Sequence, residues 1–188
     1  MSKIYMMTAV ELTPTAVEFI EKNYPERYKK SLGYKEKSDA DLCLCTAVLL
    51  DKAGISEGEI QYTDNGKPYL TDGRYISISH SGNRCVLAVF DCPVGIDIEE
   101  VGRVKTTVSS RFFTSSEQEW ASDDEVRLIV LWTLKEALSK LTGDGIKLLF
   151  DGVDVLPLTR GKSIILDGKK ITAELQFLGD YVLAIITS

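Results

Sequence analysis

Two carboxylates set into a short apolar stretch, Gly95-Ile96-Asp97-Ile98-Glu99, are the first residues of this chain whose spacing could do chemistry. Read as a strand, the stretch puts Asp97 and Glu99 on one face and Ile96 and Ile98 on the other, toward a core. Like charges side by side repel. A divalent cation relieves the repulsion, and magnesium typically takes one or two protein carboxylates and completes its shell with phosphates and water. Two ordinary acids at a solvated strand end would look the same over these five residues.

A second group lies further along the chain. A helix starting at Asp123 or Asp124 and running through Leu141 carries an apolar stripe of Val130, Leu134, Ala137, Leu138 and Leu141. Trp132, Glu136 and Lys140, spaced four apart, form another stripe. At about 100° per residue, Glu136 projects roughly 160° away from Leu134. Glu117 is a third candidate acid, but Thr114-x-x-Glu117 also reads as a capping box, which would account for it without chemistry. His80, the single histidine, opens His80-Ser81-Gly82-Asn83, where a hairpin tip is expected.

The elements that position these groups follow from periodicity and punctuation. Lys3–Thr8 reads as a strand. Thr13-Pro14 opens a helix, since threonine caps and proline fits the first turn. A basic run follows, with Arg27, Lys29, Lys30, Lys35 and Lys37. By itself it is a solvated face or a landing site for phosphates. Ser38 is expected to cap an apolar helix with Leu42, Cys45, Leu49 and Leu50 inward, ended by Gly54. From Tyr62 the texture becomes β, with turns at Asn65-Gly66 and Asp72-Gly73 and strands at Tyr75–Ser79, Arg84–Phe90 and Gly95–Glu99. After the long helix, Gly143-Asp144-Gly145 stops it. A meander closes the chain: Ser163–Leu166, Ile171–Phe177 and Tyr181–Thr187. Each half thus runs from helices into a β meander, with a seam at residues 94 and 95.

Composition narrows the class. The sequence has 188 residues, 44% hydrophobic and 27% charged, which is ordinary globular composition. A net charge of −6 argues against general nucleic-acid binding. No apolar run approaches a membrane span, and Met1–Val10 lacks the pattern of a signal peptide. A cytoplasmic protein is expected, with its four cysteines as thiols. One histidine and no C-x-x-C pair argue against a zinc site.

Three blocks now stand in one order: Ser79-His80-Ser81-Gly82; Gly95-Ile96-Asp97-Ile98-Glu99; and Trp132-Thr133-Leu134-Lys135-Glu136-Ala137 with Lys140. Arg111-Phe112-Phe113-Thr114-x-x-Glu117 lies between the last two. Together they resemble the 4'-phosphopantetheinyl transferase superfamily in its long, monomeric, Sfp-type form, over roughly residues 62 to 150. The resemblance implies an α+β fold. Two similar halves, 1–94 and 95–188, would pack about a pseudo-twofold axis, each with a small, mostly antiparallel sheet and a long helix. It implies coenzyme A bound between them, and transfer of its phosphopantetheine arm to a serine of an apo acyl- or peptidyl-carrier protein, with 3',5'-ADP released. Asp97, Glu99 and Glu136 would hold magnesium. Lys140, Ser79 and His80 would meet phosphates, Lys67 would lie near the nucleotide, and Glu117 near the reaction centre. Either Glu117 or Glu136 would take the serine proton.

One departure from the family pattern stands out. Where an arginine usually serves the nucleotide 3'-phosphate, this sequence reads Ser38-Asp39-Ala40-Asp41-Leu42, so either Arg27, Lys30 or Lys37 supplies that charge or coenzyme A is held more weakly. Two rivals remain at this point: another magnesium-dependent enzyme on a phosphate ester, and an inactive relic that only binds. Relics tend to lose a metal ligand or the lysine first, and Asp97, Glu99, Glu136 and Lys140 are all present.

Overall fold

The structure, a computed structural model, describes residues 2–104, 110–145 and 152–188. The first elements are strand β1 (Lys3–Thr8) and helices α1 (Pro14–Asn23), α2 (Pro25–Ser31) and α3 (Lys37–Lys52). Strands β2 (Ile60–Tyr62), β3 (Pro68–Leu70), β4 (Tyr75–Ser81), β5 (Arg84–Phe90) and β6 (Val94–Glu100) follow. Helices α4 (Ser115–Ala121) and α5 (Glu125–Thr142) and strands β7 (Ile164–Leu166), β8 (Lys169–Phe177) and β9 (Tyr181–Thr187) complete the order.

The architecture is α+β, built on small antiparallel sheets. One has the order β1-β5-β4, another β6-β9-β8-β7, and β2 with β3 forms a two-stranded ribbon. Each larger sheet packs one long helix. Ile20, Leu42, Cys45, Leu49 and Leu50 bury against Met7, Leu87 and Val89 of the first sheet. Leu134, Ala137 and Leu138 of α5 bury against Val182, Ala184 and Ile186 of the second. Between the sheets lies a third core, where Val86 and Ala88 of β5 meet Ile96 and Ile98 of β6 and Leu183 and Ile185 of β9. Ile96 and Ile98 thus point inward, as their alternation with Asp97 and Glu99 requires.

The seam between the sheets has an unusual bond. The hydroxyl oxygens of Ser77, Ser79 and Ser81 on β4 accept from the backbone N–H groups of Ile96, Ile98 and Glu100 on β6, at 3.0, 3.4 and 3.3 Å. The matched numbers rise together, so the two strands run in the same direction there. Serine side chains replace the backbone ladder that would otherwise satisfy these buried amides.

Several local expectations hold. Thr13 caps α1 by accepting from the Ala16 N–H, Asp124 caps α5 through Arg127 N–H, and Gly143 ends α5 at a φ of 82°. Others are corrected. α3 begins at Lys37 with Glu36 in the cap position, so Ser38 is already inside the helix. The first part of the basic run, Arg27, Lys29 and Lys30, lies in a helix from Pro25, because that proline takes the first helical position and its missing N–H costs nothing there. His80 is on β4, paired with Cys85, not at the hairpin tip. The turn is only Gly82-Asn83, and Gly82, at a φ of 58°, supplies the left-handed residue it needs. The four cysteines are free thiols. Among the described residues no helix is long and apolar enough to cross a membrane.

Candidate active site

β6 is held hard against α5, and glycine is what permits it. A Cβ on Gly95 would lie 1.9 Å from the Ala137 carbonyl oxygen and 2.5 Å from the Leu141 nitrogen. Two residues further on, Asp97 therefore faces the Glu136–Lys140 side of the helix. Lys140 Nζ donates to Asp97 Oδ1 at 2.6 Å and to Ser79 Oγ at 2.8 Å, and Ser79 Oγ donates to the same Asp97 oxygen at 2.6 Å. Asp97 is 2% exposed. Its second oxygen, Oδ2, is buried and meets no hydrogen-bond partner among the described residues. Glu99 is half-buried and accepts from Ser81 Oγ at 2.6 Å.

These groups line one cleft of about 560 Å³. Asp97, Glu99, Trp132, Glu136 and Lys140 line it from β6 and α5. Arg27, Lys30, Lys67, Ser79 and His80 line it from the other sheet's side. The cleft thus gathers the carboxyls of Asp97, Glu99 and Glu136 together with the cations Lys140, Arg27, Lys30 and Lys67. Burial, then the negative charges of Asp97 and Glu99, push the Glu136 carboxyl up to about 7, against the pull of Lys140. Burial and Asp97 likewise raise Glu99, opposed by Ser81, Arg103 and Lys140. His80 is exposed on β4, but partial desolvation of its ring, with the Lys140 charge nearby, holds its pKa below the ordinary value.

Not every expected residue joins the cleft. Glu117 is fully buried elsewhere, and all its oxygens are in use. Oε1 accepts from Val155 N–H at 2.8 Å, and Oε2 from Thr114 N–H at 2.8 Å with the Lys135 ammonium at 3.0 Å. Lys135, 2% exposed at its side chain, also donates to the Val153 carbonyl at 2.7 Å. The capping box is present, and the ion pair exceeds what capping alone requires. The placement beside the reaction centre expected for Glu117 is not what the structure gives; a helix-capping carboxylate is drawn inward because Lys135 on α5 faces it. Lys67 reaches the cleft wall, but its ammonium donates to the Leu141 carbonyl, completing the C-terminus of α5. Lys37 pairs with Asp41 on the surface, outside the cleft lining.

The donor set fits a magnesium ion. Asp97 Oδ2 is an unsatisfied buried oxygen facing a region where two further carboxyls resist ionisation, and a dication would correct both. Among the described residues no three acidic, cysteine or histidine side chains are grouped so that they could hold a metal ion together, Asp97, Glu99 and Glu136 included. Magnesium does not ask for such a group, since it usually keeps water and substrate phosphate in its shell.

Sequence reasoning missed Ser77, Ser81 and Arg103. Arg103 Nη1 donates to Ser81 Oγ at 3.2 Å. The Ser77-x-Ser79-x-Ser81 alternation was the available signal, but a period of two does not say whether the polar face meets water or another strand.

Comparison with known proteins bears on this geometry. A profile of the 4'-phosphopantetheinyl transferase superfamily matches residues 93–186, half of the chain. A 4'-phosphopantetheinyl transferase of Bacillus subtilis is 34% identical over 147 residues, which cover 69% of this chain and 64% of that protein. The 4'-phosphopantetheinyl transferase psf-1 of Bacillus pumilus is 42% identical over 89 residues, 44% of this chain and 38% of the relative. HetI of Nostoc, also a 4'-phosphopantetheinyl transferase, is 30% identical over 128 residues, 60% of this chain and 54% of its own. The matched region thus spans less than two thirds of these curated relatives.

Proposed function

We propose that the chain, which belongs to the 4'-phosphopantetheinyl transferase superfamily, transfers the 4'-phosphopantetheine arm of coenzyme A to a serine of an apo carrier protein and releases 3',5'-ADP. The observation that carries the reading is the shared cleft. Asp97, Glu99 and Glu136 line it together with Lys140, Arg27 and Lys30, a mixture suited to a ligand with a metal-bound pyrophosphate and a phosphorylated nucleotide. All of them come from one chain, which supports action as a monomer. We place that action in the cytoplasm, where coenzyme A and reduced thiols coexist.

In this reading the serine oxygen attacks the phosphorus that carries the pantetheine arm. The bond from that phosphorus to the bridging oxygen breaks, and 3',5'-ADP departs with that oxygen. Asp97, Glu99 and Glu136 would hold magnesium, which when bound supplies charge neutralisation on the phosphates. Lys140 places an ammonium beside Asp97, where it offsets charge on the phosphate oxygens. Glu136 is the group that takes the serine proton, directly or through one water. It lines the cleft, whereas Glu117 has no free oxygen and no exposure. Arg27 and Lys30 serve the nucleotide end, supplying positive charge that Ser38–Leu42 lack, and His80 lines the cleft with them.

Product analysis tests the reaction class. With coenzyme A and magnesium, release of 3',5'-ADP should require an apo carrier protein. Release at the same rate without any carrier would indicate a hydrolase.

A further inference from the structure

The three seam serines are not equivalent. Ser77, Ser79 and Ser81 are all buried, on one face of β4, and each bridges to a β6 amide. Ser79 belongs to the Lys140–Asp97 group already described. Ser77 also lines the cleft, but among the described residues it is bonded to no carboxylate and its hydrogen bond is the bridge to Ile96. Ser81 bridges and also donates to Glu99 Oε2 at 2.6 Å.

The hydroxyl of Ser81 is completely committed. It has one proton and two lone pairs. The Glu100 N–H and Arg103 Nη1 occupy the lone pairs at 3.3 and 3.2 Å. The remaining proton is then directed at Glu99. A serine hydroxyl ordinarily rotates to suit its surroundings; two donors on its oxygen remove that freedom. Arg103 comes from the exposed segment just after β6, three residues beyond Glu100. The carboxylate and the arginine that fixes its partner are thus tied within one turn of chain.

We propose that Ser81, locked by Arg103, is the positioning residue that aims Glu99 at the metal position, and that Ser77 is its purely structural counterpart. The inference rests on the reading of Glu99 as a metal ligand. Hydrogen-bond partners of ligating groups commonly alter metal affinity about 10–100-fold when removed.

The test is Mn2+ binding by the whole protein with coenzyme A, read from the electron paramagnetic resonance of the free ion, alongside Tm. Ser81→Ala should weaken Mn2+ binding about 10-fold or more, and Ser81→Thr should restore part of it. Ser77→Ala should lower Tm comparably and leave Mn2+ affinity unchanged. Arg103→Ala, at an exposed position that the fold does not need, should also weaken Mn2+ binding. It keeps the idea testable if Ser81→Ala fails to fold. Wild-type affinity in Ser81→Ala and Arg103→Ala would overturn the proposal while leaving the wild-type site intact. Equal losses in Ser77→Ala and Ser81→Ala would also overturn it, assigning the whole effect to the seam. If the wild-type protein itself binds no Mn2+, the underlying metal reading fails, a different pattern.

Discussion

Lys140 Nζ lies 2.6 Å from Asp97 Oδ1, while the other oxygen of the same carboxylate is buried without a partner among the described residues. One oxygen is paired within the protein, and the other is the one the proposed metal would meet. The two residues are 43 positions apart and come from different elements, so the pairing depends on β6 sitting directly on α5 at Gly95.

Lys140→Ala should therefore lower kcat/KM about 10²-fold, the usual scale for one charge-stabilising group. Lys140→Arg should recover only part, because a guanidinium fork does not reproduce a compact ammonium between Asp97 and Ser79. Steady-state kinetics with a carrier substrate measure both. An unchanged rate in Lys140→Ala would reduce the lysine to a structural counterion.

Glu117 should behave as a core residue. Glu117→Ala strands the buried Lys135 ammonium, and breaking such a pair costs about 3–5 kcal/mol. In a chain of this size that corresponds to a fall in Tm of about 10 °C or more. Below its new Tm, the variant should keep kcat within about threefold of wild type, since the residue contributes binding to neither state of the substrate. A large loss of kcat with Tm unchanged would instead restore the chemical role.

Glu136 gives a pH signature in the metal-free protein. Its carboxyl titrates at about 7 in the folded chain, against an ordinary value of 4.5. The folded state therefore binds this proton more tightly than the unfolded state does. The associated stability is fully present below about 4.5 and is lost as pH rises through about 7. Glu136→Gln, which stays neutral, should match wild-type Tm at pH 5 and exceed it at pH 8 in the presence of a chelator. Identical Tm differences at the two pH values would contradict the raised carboxyl.

The nucleotide end is testable through substrate choice. Arg27, Lys30 and His80 line the cleft, and Arg27 Nε is buried without a partner among the described residues. A 3'-phosphate carries close to two negative charges. Removing it from coenzyme A should raise KM more than it lowers kcat, because this contact is far from the reacting phosphorus. Arg27→Ala should erase much of the difference between coenzyme A and its 3'-dephospho form. Equal KM values for the two in wild type would remove these residues from that role.

The sequence made the carboxylate strand and the Glu136 stripe legible because both rest on strict periodicity: two residues for the strand, four for the helix. It did not reveal that Glu117 turns inward. A capping box has the same four residues whether its helix start is solvated or buried, and only the partner on α5 decides. The position of His80 was misjudged because a two-residue turn at Gly82-Asn83 leaves one more pair of residues in the strands than a four-residue tip would. The start of α3 was misjudged because Glu36 takes the cap position without a side-chain bond, leaving no signature to read. The serine bridge lay outside sequence reach because it joins two sheets whose relative placement no local pattern encodes.

The central claim is group transfer to a carrier serine. Incubating the protein with coenzyme A, magnesium and an apo carrier protein, and weighing the intact carrier, tests it most directly. The carrier should gain the mass of one phosphopantetheine group, with wild type but not with Asp97→Ala, and not when the carrier's serine is replaced by alanine. A carrier of unchanged mass across fatty-acid, polyketide and peptide-synthetase types, with folded wild-type protein present, would contradict the account.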